Sequence, residues 1–287
     1  MNLQMLGMLV GGIIFGILGD TKGRVKVLFG SILLYSLANI ANGFVNDTLS
    51  YAIIRFIAGI GLAGELGAGI TLVSETMDKE KRGYGTMIIV VVGALGAVVA
   101  AIVGEYFHWR TAYFVGGGLG LLLLALRMGT FESGMFKEIQ HAEIKKGAFL
   151  SLFTNKKVFK KYLACILTGL PVWYVIGILI VFSPELSKEF NLNFELKGSA
   201  KPIMWAYIGL SFGDLLSGLL SQIFRNRIKV VAIFILFLLI MSAVFLYVPA
   251  ANENMFFLFC FLLGTGTGFW ALFVTIASEQ FGTNIRS

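Results

Sequence analysis

Residues 3–27 read LQMLGMLVGGIIFGILGDTKGRVKV, an apolar run that ends in a turn carrying Asp20, Lys22, Arg24 and Lys26. A bilayer's hydrocarbon core takes about 20 helical residues, fewer when polar flanks snorkel, so a run of this kind closed by charge reads as a membrane-spanning helix. Gly7, Gly11, Gly12 and Gly16 form overlapping small-xxx-small patterns on successive turns, which permit close approach of another helix. Outward from this stretch, eight further runs repeat the theme, at 27–45, 49–74, 86–104, 111–129, 162–184, 202–224, 230–248 and 255–277. They are long and continuously apolar, without strict alternation, so they predict helices and not barrel strands. The fold class expected is therefore all-α integral membrane, with nine transmembrane helices.

Composition agrees. Of 287 residues, 57% are hydrophobic and 14% charged, more apolar than a water-soluble domain needs, which argues against a soluble enzyme. The formal charge of +7 is explained by topology. The loops after the first, third, fifth and seventh spans hold Lys22, Arg24 and Lys26; Lys79, Lys81 and Arg82; a lysine-rich stretch from Lys137 to Lys161; and Arg225, Arg227 and Lys229. The opposite side holds only Arg110, Lys188, Lys197 and Lys201. Basic residues accumulate in cytoplasmic loops, so the C-terminus is expected in the cytoplasm, the protein in a cell or inner membrane, and no nucleic-acid partner is required. Two cysteines, Cys165 and Cys260, lie in apolar runs as small hydrophobes, and with two histidines they form no metal site; no cofactor is expected.

The chain repeats itself. Gly7, Gly11 and Gly16 align with Gly209, Gly213 and Gly218, and after one inserted residue Gly23-Arg24-Val25-Lys26-Val27 falls on Asn226-Arg227-Ile228-Lys229-Val230. Likewise Thr71 to Glu75 falls on Thr275 to Glu279, Arg82 on Arg286, and Gly59 and Gly61 on Gly264 and Gly266. Both patches keep the same order and orientation, which predicts a parallel repeat about an axis along the membrane normal. The division expected is an N-terminal bundle at 1–129, a basic cytoplasmic linker at 130–161 with short amphipathic helices around 136–144, and a C-terminal bundle at 162–287.

Gly16-x-x-Gly19-Asp20-x-x-Gly23-Arg24 resembles the loop signature between helices two and three of the major facilitator superfamily. Arg55-x-x-x-Gly59-x-Gly61 resembles that family's fourth-helix motif, Glu75 with Lys81-Arg82-Gly83 resembles its end, and Gly61-Leu62-Ala63-Gly64-Glu65 is similar to the metabolite:proton symporter and sugar-porter-like branch. The resemblance implies that the nine helices match helices 2 to 10 of a two-bundle fold. The chain then reads as cut at both ends, with one helix before Leu3 and two after Ser287 completing two sets of six. Departures are Gln222 in place of an acid, a partial echo at Glu132-Ser133-Gly134, and a fifth family helix without proline, which favours symport or uniport over antiport.

The same resemblance implies secondary active transport of a small polar solute by alternating access, proton-coupled, with lipid and protons as the other partners. Asp20, Gly23, Arg24, Glu75, Arg82, Arg227, Glu279 and Arg286 are the candidate cytoplasmic gate, where a partly dehydrated ion pair holds one state and releases another. Arg55, Glu65 and Asp214 are ionisable residues inside spans, expensive there unless they face a cavity or a partner. Burial penalises an acid's charged form, so Glu65 or Asp214 is a candidate for proton uptake; a permanently hydrogen-bonded acid is the plainer reading of each. Trp173, Tyr174 and Trp270 complete the candidate solute and proton pathway, against a simpler packing role. Asn39 and Asn42 are expected to bond a neighbouring helix, and His108 with Trp109 to sit at the membrane interface. Alternatives are a uniporter or a truncated fragment that moves nothing. An integral membrane enzyme is disfavoured, since the sequence holds no histidine cluster, nucleophile elbow or paired surface carboxylates.

Overall fold

The computed structural model describes residues 2–77, 82–126, 155–190, 192–196 and 198–280. The linker expected at 130–161 lies outside these as far as residue 154, as do its amphipathic helices. All regular structure among the described residues is helical: α1 (Asn2–Lys22), α2 (Arg24–Gly43), α3 (Thr48–Thr76), α4 (Arg82–Tyr106), α5 (Trp109–Leu126), α6 (Lys156–Tyr174) running into a π-helical turn (Val175–Ile180), α7 (Ser183–Glu189), α8 (Ala200–Ile223), α9 (Arg227–Tyr247), α10 (Glu253–Thr267) and α11 (Trp270–Gln280). Nine helical stretches among the described residues are long and apolar enough to cross a bilayer. Many large apolar side chains are exposed, Leu9, Val92, Leu122 and Leu239 among them, as a surface that meets lipid requires.

Packing divides the chain into two units. The first holds α1, α2, α3 and α5. Its helices approach until only hydrogen fits: a methyl group on Gly7 or Gly11 would strike the carbonyl of Phe56 or Ile60 on α3, and one on Gly59 the carbonyl of Gln4 on α1. Gly61 lies against the Tyr35 amide and the Ser31 carbonyl of α2, and Gly117 of α5 against the Ser36 carbonyl. Between α1 and α2 the chain turns at Gly23, whose φ of 107° is the left-handed region that favours glycine.

The second unit holds α4, α6 from Lys161 onward, everything from there to α10, and α11 as far as Ala277. The same contacts recur at the repeat-related positions. Gly209 and Gly213 of α8 meet the carbonyls of Phe261 and Thr265 on α10, Gly264 meets the Ala206 carbonyl, and Gly266 meets Leu238 of α9. Asn226 stands where Gly23 stood, and caps α9 by accepting the Lys229 N–H at 3.1 Å. An apolar core gathers around Phe256, Leu263, Phe269, Val230 and Ile180, all at most 2% exposed.

Three features depart from simple spans. The division expected at 129 puts α4 with the first bundle, whereas by packing α4 joins the second unit, where it lies along α8. In α6, Pro171 has no N–H to return to the preceding turn, and four residues later the helix widens into a π turn closed by Val181 N–H to Ile176 C=O at 3.2 Å. The expected span at 255–277 is two helices: α10 stops at Thr267, Gly268 and Phe269 make a turn, and α11 starts at Trp270.

Candidate functional site

The interruption between α10 and α11 faces Asp214. This residue sits near the middle of α8, fully buried, and its Oδ1 accepts the Ala271 N–H at 2.9 Å. The donor belongs to the first turn of α11, where backbone N–H groups lack helical partners and the dipole is positive. Its second oxygen, Oδ2, is buried with no hydrogen-bond partner. Glycines make the arrangement possible, since a side chain on Gly268 would run into the backbone of Gly213 and Asp214. Just beyond the turn, the Trp270 ring stands edge-on to Trp173, with centroids 6.1 Å apart and planes at 86°, and tilts against Phe273 at 5.3 Å. Tyr174, the next expected pathway residue, is exposed, as is Trp173.

Further along α11, Thr275 shares a buried hydroxyl hydrogen bond of 2.7 Å with Thr86 of α4. Thr86 leaves no mark in the sequence, because a lone threonine among apolar residues gives no sign of a partner 189 positions away.

In the first unit, Arg55 lies within α3, half-buried, its guanidinium 5.9 Å from the Tyr51 ring and 5.8 Å from the Tyr113 ring. The two tyrosine hydroxyls are 2.8 Å apart. Trp109 stands edge-on to Tyr113 at 6.1 Å. Tyr51 and Tyr113 were not singled out in the sequence, although Tyr51 stands four residues before Arg55 and so shares its helix face. Glu65, half-buried, follows Arg55 by ten residues on the unbroken α3, about 15 Å along the axis. Arg110 holds the chain end of α2 to α5, donating to the Val45 carbonyl at 2.9 Å and to Asn46 Oδ1 at 2.8 Å while its guanidinium lies 4.5 Å from the Trp109 ring. The structure thus gathers Asp214, Trp173 and Trp270 in one unit and places Arg55 and Glu65 on one helix of the other.

Of the expected gate, Asp20 is 4% exposed near the end of α1, Gly23 forms the turn that follows, and Arg227 opens α9. Arg24, Glu75, Arg82 and Glu279 fall in helices, but their side chains lie outside the described residues, and Arg286 lies outside them altogether. Asn42 is fully buried on α2, and neither atom of its amide has a hydrogen-bond partner, unlike the interhelical bond expected for it.

A broken apolar helix, a buried carboxylate at the break and close glycine contacts that recur between the halves define a multi-pass helical membrane protein built on a repeat. The chain belongs to the Major Facilitator Superfamily, whose family model matches residues 1–287. It is 28% identical to the 3-(3-hydroxy-phenyl)propionate transporter of Escherichia coli over 77% of this chain and 54% of that protein. It is 25% identical to the sialic acid transporter NanX of the same organism, over 96% of this chain and 68% of that one. The solved structure of the proton:xylose symporter XylE superposes with a TM-score of 0.69 at 15% identity, covering 99% of this chain and 72% of that one, and shows the shared fold. The chain spans about half the length of several curated relatives it matches. These relatives are named as transporters, and none of them as an enzyme.

Proposed function

We propose that the protein takes part in secondary active transport of a small polar metabolite by alternating access, as a proton-coupled symporter in a cell or inner membrane with its C-terminus in the cytoplasm. The observation that carries this is the recurrence of the glycine contacts: Gly7, Gly11 and Gly59 in one unit, Gly209, Gly213 and Gly264 in the other, each pressed against the equivalent backbone carbonyl. Such a parallel repeat is the framework on which transporters alternate, and smooth backbone contacts let helices shift without unlocking side chains. The names of the two bacterial relatives, which handle an aromatic acid and a sialic acid, support a small organic solute, and the symporter's title supports proton coupling.

In this reading Arg55, held between two phenol rings, contacts an anionic or polar solute, with Trp173, Tyr174 and Trp270 as further lining and Glu65 or Asp214 as the proton carrier. Asp20, Gly23, Arg24, Glu75, Arg82, Arg227, Glu279 and Arg286 form the cytoplasmic gate, and residues 130–161 link the sequence halves 1–129 and 162–287. The test is counterflow in proteoliposomes loaded in turn with aromatic acids, sugar acids and neutral sugars. Trans-stimulated uptake of one class supports transport; no uptake of any class with correctly inserted protein favours a non-transporting chain.

A further inference from the structure

We propose that Asp214 is a proton-operated latch on α11: protonated, it lets the half-helix pack as seen here; ionised, it requires α11 to move and admit water. The latch gains its purpose from the transport reading, but its test does not depend on that reading.

The argument starts from the two carboxyl oxygens. Oδ1 accepts the Ala271 N–H, while Oδ2 has no partner and no access to solvent. The backbone N–H of Trp270 is also directed at the carboxyl, and among the described residues no charged side chain accompanies it. On the elements packed around Asp214, the described ionisable groups are Tyr84, Glu105 and Tyr106 of α4, Lys201 and Tyr207 of α8, Arg227, Lys229 and Tyr247 of α9, and Glu253 and Cys260 of α10, none of them hydrogen-bonded to this carboxyl. An ionised carboxylate here would be a buried charge without a cation, costlier than a neutral carboxyl with one unmet oxygen. Against this, the N–H groups and the positive end of α11 favour the anion. The opposition makes this a carboxyl that can change state, unlike one locked in an ion pair.

The surroundings decide what the change of state does. Backbone contact between Gly213 and Gly268 closes the space beside Asp214, so the packed arrangement has no room for a hydrated ion or a water shell. A proton needs none. Solvating the anion requires the Gly268 turn to part from α8, which carries Trp270 away from Trp173 and strains the Thr275–Thr86 bond one turn further on. Proton occupancy at Asp214 is thereby tied to the position of an aromatic pair and of α11.

The experiment uses the full chain in detergent and in bilayers, with the proton as the only ligand. Infrared spectra across a pH series follow the protonated-carboxyl band, and hydrogen exchange corrected for intrinsic rates follows the amides of residues 268–280. The latch predicts a carboxyl band that titrates away as pH rises and is absent in Asp214→Asn. Protection of 268–280 should fall by up to about tenfold per pH unit as the pH rises toward the midpoint at which the band is lost, the slope of a single linked proton, and should be independent of pH in Asp214→Asn. A band unchanged by Asp214→Asn, or pH-independent protection of 268–280 in the unmodified protein, overturns the proposal. The second readout needs no variant, so a failure of Asp214→Asn to fold does not spare it. Solute exchange by a protein whose Asp214 never protonates would sink the latch and leave transport standing; a titrating latch in a protein that moves no solute would do the reverse.

Discussion

Thr86 and Thr275 meet through their hydroxyls at 2.7 Å, both fully buried, one on α4 and the other on α11. Thr275 Oγ1 also lies 2.8 Å from the Ala271 carbonyl, to which it can donate, and within the threonine pair either hydroxyl can be the donor. Hydrogen bonds between helices in membranes contribute about 0.6 kcal/mol on average and up to about 1.7. A double-mutant cycle of Thr86→Val and Thr275→Val in reversible detergent unfolding should give a coupling energy in that range. A coupling of zero would mean the hydroxyls meet without holding α4 in place.

Glycine substitutions should split into two classes. A methyl group on Gly11, Gly213 or Gly264 is driven into backbone, which cannot rotate aside, so Ala there should destabilise by roughly 1–3 kcal/mol or abolish folding. Gly12 and Gly93 face open space inside helices, and Ala at either should leave stability unchanged or raise it by up to about 1 kcal/mol. Thermal unfolding of the five variants in one detergent checks this; equal losses in both classes would contradict the contacts.

Asp47 provides a pH prediction outside the spans. Its carboxylate accepts the Ser50 N–H at 2.8 Å and so caps the start of α3, and these hydrogen bonds hold its acidity below the usual carboxylate range. A lowered value means the capping is complete above the ordinary Asp range and is lost only as pH falls through the lower folded one. Amide exchange at Ser50 and Tyr51 should therefore stay protected from neutral pH into mildly acidic solution and loosen only below it, whereas Asp47→Asn should show no such transition. Loosening that begins at pH 6 would contradict it.

Asp20 is nearly buried beside the Gly23 turn. If it holds one conformation of the gate, Asp20→Asn should lower solute turnover about tenfold or more while expression and thermal stability change little. Parallel losses of turnover and stability would make the residue structural.

How much of this was legible follows from the kind of signal each feature leaves. Spans write themselves as 20-residue apolar runs, and the repeat shows because glycine is the residue that a carbonyl-to-helix contact demands, so Gly209 and Gly213 had to echo Gly7 and Gly11. The alliance of α4 with α8 leaves no such trace: Gly218 meets Met87, a flexible side chain that many sequences would accommodate. The break at Gly268 hid inside an apolar run, although the alternation Gly264-Thr265-Gly266-Thr267-Gly268 was there to suggest weakened helix. Asp214 stood out as an acid in a span, but its partner is a backbone amide, which any residue but proline at 271 would supply. Tyr113 was invisible as a neighbour of Arg55 because α3 and α5 are joined only in space.

Proton movement driven by solute tests the central claim most directly. Purified protein is reconstituted in liposomes holding a pH-sensitive dye, and each solute class positive in counterflow is added outside without a pH gradient. Proton-coupled symport predicts acidification of the lumen that depends on the solute, saturates with it, and disappears in Asp214→Asn or Glu65→Gln while solute counterflow persists. Solute entry at full rate with no change in lumenal pH would contradict it and leave uniport as the account of the fold.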